Sequence, residues 1–141
     1  MQATIRDIHP IAGSNPIVGQ GLVLIALYAV FRAWGLSGAW YVSDDFAFIS
    51  RAAHDDFTLK YLFESYGGHL MPAGFAVTWL LTRFYAFEWS AWWPVLWVLQ
   101  VLAAIGMLRL LLSMFGRTRA VLALLIGYLT LVITLPASIW Y

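Results

Sequence analysis

The sequence has no cysteine. That excludes disulfides, thiolate zinc sites and cysteine nucleophiles. Charge is also scarce: 11% of the 141 residues are charged, against roughly 25% in a soluble domain. No block of basic residues is present, which argues against nucleic acid as a partner. The net charge of +1 favours no class of partner. There is no internal repeat and no low-complexity stretch. No small-x-small cleavage site follows the first apolar run, so that run is predicted to be a retained signal anchor.

What fills the chain instead is apolar. Hydrophobic residues make up 62% of it, the composition of a polytopic membrane protein. The predicted fold is an all-α membrane protein with about four transmembrane helices and two short surface helices in the first loop. Residues 1–16 form a mixed polar N-terminal segment, and 17–141 form the membrane module. A span needs about 20 mainly apolar residues. The four runs are Ile17 to Leu36, Leu70 to Phe87, Pro94 to Phe115 and Ala120 to Tyr141. Arg32, Arg83 and Arg109 lie near span ends, where they can reach the headgroups. Trp34, Trp40 and Tyr41 flank the first span. Trp89, Trp92, Trp93 and Trp97 surround the second-to-third turn, and Trp140 and Tyr141 close the fourth. That is an interfacial aromatic belt, with Trp79 as the exception inside the second span. The turns at Glu88–Trp93 and Gly116–Arg119 are tight and predict antiparallel neighbours.

The loop from Ser37 to Gly68 holds most of the carboxylates. Phe48, Ile49 and Ala52 share one helical face; Leu59, Leu62, Phe63 and Tyr66 share another. Two amphipathic helices on the membrane surface are therefore expected. Ser43 before Asp44-Asp45, and Asp56 before Phe57-Thr58-Leu59, read as helix caps. Adjacent carboxylates beside a membrane also admit a functional reading: a general base, or a pair that binds a divalent cation. Gly67-Gly68 permits a sharp reversal, and Pro72 suits a first helical turn. His69 between them reads as an interfacial turn residue, or as a donor to phosphate or metal. His54 admits the same two readings. Strict alternation of four spans collects Arg32, Arg51, Lys60, Arg109, Arg117 and Arg119 on the side of the acidic loop. By the positive-inside rule that side is cytoplasmic. Alternatively, some of these cations bind an anionic headgroup or a phosphate leaving group.

Ser43-Asp44-Asp45-Phe46 early in a long first loop, followed by Gly68-His69-Leu70-Met71-Pro72 opening the next apolar run, resembles the N-terminal part of the GT-C superfamily. These are integral-membrane glycosyltransferases, including the dolichyl-phosphate-mannose protein mannosyltransferases and bacterial relatives. The resemblance runs from Ile17 onward. It implies a multi-pass protein of the plasma membrane, of bacterial type, with the first loop outside the cytoplasm. It also implies inverting transfer of a sugar from a polyprenyl-phosphate donor to a hydroxyl acceptor. The family's acidic base maps onto Asp44 or Asp45. Asp44 is expected to be the base, and Asp45 to orient the acceptor or hold a divalent cation. Arg51, Lys60 and His69 are expected to bind the lipid phosphate. Family members have more spans, so the chain is expected to be the N-terminal portion of a longer enzyme. The competing expectation is a non-catalytic four-helix membrane subunit for assembly or lipid binding.

Overall fold

The computed structural model describes residues 16–41 and 44–139. The predicted cap at Ser43, most of the N-terminal polar segment and the closing pair Trp140 and Tyr141 lie outside those residues. Six helices follow one another: α1 (Pro16–Ser37), α2 (Asp44–His54), α3 (Leu59–Phe63), α4 (Pro72–Tyr85), α5 (Trp89–Phe115) and α6 (Arg119–Ile139). Among the described residues there is no strand, and Tyr66 and His69 form an isolated bridge. The all-helical expectation holds.

The number of spans does not. Among the described residues two helices, α1 and α5, are long and apolar enough to cross a membrane, rather than the predicted four. The second predicted span, Leu70 to Phe87, shortens to the 14 residues of α4. At 1.5 Å per residue that is about 21 Å, short of a hydrocarbon core of about 30 Å. Both ends have a local cause. Pro72 occupies the first turn, where its missing N–H is not needed. At the far end Ala86 leaves helical geometry and Phe87 adopts a left-handed φ of 62°. The Glu88 amide then donates to the Tyr85 carbonyl at 3.1 Å, closing the turn. In α6 the apolar portion whose side chains are described, Arg119–Leu131, is too short to qualify.

The third predicted span begins earlier than expected, at Trp89 instead of Pro94. The Glu88 carbonyl accepts the Ala91 and Trp92 amides at 2.9 and 3.3 Å, so the first turn forms ahead of the proline.

The chain divides into two compact units, one of residues up to Tyr28 plus those from Val101 onward, the other Ala29–Gln100. In the first unit, Ile25 and Tyr28 of α1 pack with Ala104, Leu108 and Leu111 of α5 and with Val121, Leu125 and Leu129 of α6. Gly21 permits the close approach: a Cβ there would lie 2.9 Å from Leu108 Cδ1.

In the second unit, α2 and α3 both pack on α4. Ile49 and Ala52 are buried and Phe48 is half-buried, as their shared face predicts. The α3 expectation fails in two respects. Thr58, not Asp56, caps the helix, its hydroxyl accepting the Tyr61 amide at 3.1 Å. Tyr61 is the buried residue, while Leu59 and Phe63 are 75% and 59% exposed. A five-residue helix buries only one face, and the Tyr61 hydroxyl fixes which by donating to the Phe75 carbonyl at 3.3 Å.

The last turns of α1 and the first turns of α5 are antiparallel neighbours. Trp89 Nε1 donates to the Leu36 carbonyl at 2.7 Å, Trp97 Nε1 to the Ala29 carbonyl at 2.7 Å, and Arg32 Nε to Gln100 Oε1 at 2.7 Å. Tyr41 closes the same corner. Its ring lies edge-on to Trp89 at 5.1 Å, Trp92 at 5.4 Å and Phe87 at 6.1 Å.

Candidate functional site: the carboxylates of the first loop

Asp44 and Asp45 form the first turn of α2, where negative charge offsets the positive end of the helix dipole. Both are half-buried and both have interaction partners within the fold. They do not share a face. At 100° per residue, Asp45 falls with Ile49 and Ala52 on the buried side, while Asp44 falls with Arg51 on the flank. Asp44 and Arg51 are two turns apart, about 10 Å along the helix axis.

The buried side of Asp45 leads to Tyr41, which sequence reading placed only in an aromatic belt. Tyr41 is 4% exposed, and its hydroxyl finds no hydrogen-bond partner among the described residues. Burial, then the negative charges of Asp45 and Glu88, push its ionisation up to about 12. A phenol held neutral at physiological pH keeps its proton and can donate it to a carboxylate, while its oxygen can still accept. The signal for Tyr41 was its place three residues before an acidic pair; the partner Glu88, 47 positions beyond Tyr41, gave none.

Arg51 binds within the loop. Its Nε donates to Asp55 Oδ2 at 3.3 Å, and Nη2 donates to Glu64 Oε2 at 2.7 Å and to the Tyr61 carbonyl at 3.1 Å. Its guanidinium also stacks over the Tyr61 and Phe75 rings at 4.8 and 4.9 Å. This one side chain ties α2, α3 and α4 together. Burial and the Asp55 charge raise the Tyr61 ionisation, against the lowering effect of Arg51.

Lys60 shares a recess of about 210 Å³ with Asp55, Asp56, Thr58, Tyr61 and Glu64. Its ammonium has no hydrogen-bond or ion-pair partner among the described residues. Arg51 does not line that recess but bonds two of its carboxylates, Asp55 and Glu64. His69 is exposed in the turn from Tyr66, whose backbone it pairs at 2.9 and 3.0 Å across Gly67 and Gly68, both at positive φ. His54 takes its structural reading: Nδ1 lies 2.7 Å from the Ser50 carbonyl one turn back. Among the described residues no group of three or more His, Asp or Glu side chains is arranged to hold a metal ion, at Asp45 or elsewhere.

No protein-family model, no curated protein and no solved structure matches this chain.

Proposed function

We propose that this chain is the membrane-embedded N-terminal part of a GT-C-type glycosyltransferase, multi-pass in a bacterial plasma membrane. The whole enzyme transfers a sugar from a polyprenyl-phosphate donor to a hydroxyl acceptor with inversion, and these residues alone do not. α1 and α5 cross the bilayer, and the 21-residue α6 supplies a third crossing. The observation that carries the reading is the position of Asp44 and Asp45. They are half-buried in a helical first turn, seven residues after the end of an apolar helix long enough to span.

In this mechanism Asp44 takes the proton of the acceptor hydroxyl as its oxygen attacks the anomeric carbon. The bond from that carbon to the phosphate oxygen breaks, and the lipid phosphate leaves with the electron pair. Asp45, on the buried side, orients the acceptor or holds a divalent cation. Lys60 and His69, whose side chains have no internal partners among the described residues, receive the phosphate. Arg51 joins them only by exchanging Glu64 or Asp55 for it. Positioned bases contribute roughly 10²–10⁴ in rate, so Asp44→Asn should reduce transfer at least about a hundredfold. Helix content should hardly change, because a first-turn charge is worth only about 0.3–1 kcal/mol. Normal transfer by a folded Asp44→Asn protein would remove Asp44 from the mechanism and leave Asp45 as the base to test.

One observation favours the second reading, a non-catalytic membrane subunit. Arg51 is already ion-paired with Asp55 and Glu64 within the loop. On that reading Asp44→Asn and Asp45→Asn both leave assembly and lipid binding unchanged.

A further inference from the structure

We infer that Arg32 of α1 and Gln100 of α5 form an anion-binding site inside the membrane, and that its ligand is a carboxylate on a membrane helix from outside residues 1–141. This rests on the reading of α1 and α5 as spans, and not on sugar transfer.

The first support is depth. Leu36 accepts from Trp89 and Ala29 from Trp97. The backbone of Arg32, between Leu36 and Ala29, is therefore level with the part of α5 between Trp89 and Trp97. Its Nε nevertheless donates to Oε1 of Gln100, beyond Trp97, at 2.7 Å. The side chain thus runs back along α1 toward its N-terminus, the direction helical side chains favour. It runs away from the span end, where the sequence placed it within reach of the headgroups. Gln100 lies two residues before Leu102, the midpoint of α5 (Trp89–Phe115), which is about 3 Å along the axis. The guanidinium is held near the middle of a span.

The second support is the hydrogen-bonding chemistry of the pair. A guanidinium has donors and no acceptor, so Gln100 must turn its carbonyl oxygen to Arg32. The amide N–H groups of Gln100 then point away from that bond. Both Nη groups of Arg32 are without a partner among the described residues. Arg32 and Gln100 are each half-buried, so the rest of the pair is open on the outer side of the two helices. The site therefore presents one positive charge and a set of N–H donors, with its side-chain acceptor already engaged. A cation at such depth is costly unless it is paired. The free Nη edge of a guanidinium matches a carboxylate through two parallel bonds.

The third support is the placement of the chain's own carboxylates. α1, α4, α5 and α6 contain none. Asp7 precedes α1, and Asp44, Asp45, Asp55, Asp56, Glu64 and Glu88 all lie between α1 and α5. A second copy of the chain would bring the same spans and the same lack. Lipid phosphates lie at the interface, about 15 Å from the middle of a hydrocarbon core about 30 Å thick, and the side chain points away from the nearer one. The source that fits the depth is an Asp or Glu on another membrane helix, packed on the open side of Arg32 and Gln100. Polar pairs between helices are one of the forces that join spans in a bilayer.

The test places the full chain in phosphatidylcholine vesicles with a synthetic leucine–alanine transmembrane peptide that carries one central Glu, or Gln in its place. The chain has no native cysteine, so Thr118→Cys, at an exposed position, takes a single dye. Energy transfer to a dye on the peptide reads association. The Glu peptide should bind roughly 5–30-fold tighter than the Gln peptide. That preference should be lost in Arg32→Gln, which can still bond Gln100 and keep the helix pair, and reduced in Gln100→Leu. Equal binding of the two peptides to the parent would overturn the site. A Glu preference that survives Arg32→Gln would overturn it too. So would a preference that disappears when phosphatidylglycerol replaces phosphatidylcholine, because Arg32 would then be held by lipid phosphate. Chain that washes out of the vesicles in alkaline carbonate would instead overturn the membrane reading on which the site rests.

Discussion

The Tyr41 hydroxyl is buried with no bonding partner among the described residues, and a polar group in that state costs about 1–3 kcal/mol. Tyr41→Phe keeps the ring against Trp89 and Trp92 and removes only the oxygen. The variant should unfold in detergent at a temperature equal to or above that of the parent. The parent should also lose stability on the alkaline side. The folded phenol ionises near 12 and the unfolded one near its ordinary 10.0. Below pH 10 both are protonated and nothing is lost. As pH rises from 10 to 12 only the unfolded chain releases its proton, so stability falls across that window. Thermal scans through that range should show a shallower fall for Tyr41→Phe. Phe87 is the other residue in an unusual state, a bulky side chain at φ 62°. Strain of this kind costs about 1–3 kcal/mol, and stacking on Phe46 at 6.1 Å and 27° offsets part of it. Neither residue was legible in the sequence as more than an aromatic. Their states come from packing against positions far along the chain, which no local pattern encodes.

Four indole N–H groups act on helix ends or edges: Trp89 on α1, Trp97 on α1, Trp92 on α4, and Trp79 on the Asp55 carbonyl just past α2. The last carbonyls of a helix have no internal donors. Here the Leu36 and Tyr85 carbonyls each accept a Trp N–H beside a backbone amide, that of Ala39 and of Glu88. Trp89→Phe should lose roughly 1 kcal/mol for the missing hydrogen bond, read as a lowered unfolding temperature, with Trp93→Phe as a control. Arg51 ties three elements by ion pairs and stacking. Exposed pairs are worth about 0.2–1 kcal/mol, and Asp55 and Glu64 are 49% and 52% exposed. The stacking on Tyr61 and Phe75 adds about 0.5–1 kcal/mol each. Arg51→Ala should therefore destabilise the unit by roughly 1–3 kcal/mol. Arg51→Lys should recover little, since an ammonium neither forks nor stacks. Limited proteolysis between Asp55 and Met71 reads the difference. The elements themselves were largely legible. α1 and α2 follow apolar runs and a visible amphipathic face. α4 was overextended because Leu70, Met71, Ala86 and Phe87 are as apolar as the helix they flank, and only backbone geometry ends it. The buried face of α3 was misread because five residues give too short a period to fix one.

For the molecule as a whole, the membrane reading predicts that the chain stays with the membrane pellet through an alkaline carbonate wash and leaves it only in detergent. Recovery in the carbonate supernatant would make α1 and α5 core helices of a peripheral protein. Composition made legible two helices long and apolar enough to cross a membrane, and the acidic pair pointed to the first loop. The counting of spans misled, because the apolar run from Leu70 to Phe87 is longer than the 14-residue helix its backbone forms. The bond from Trp89 to Leu36 has a consequence for synthesis. The two residues are 53 positions apart, and chains grow at about 5–20 residues per second. The end of α1 therefore waits roughly 3–10 s after leaving the ribosome before its partner exists. Throughout that interval the acidic loop is made but not yet anchored at its far end.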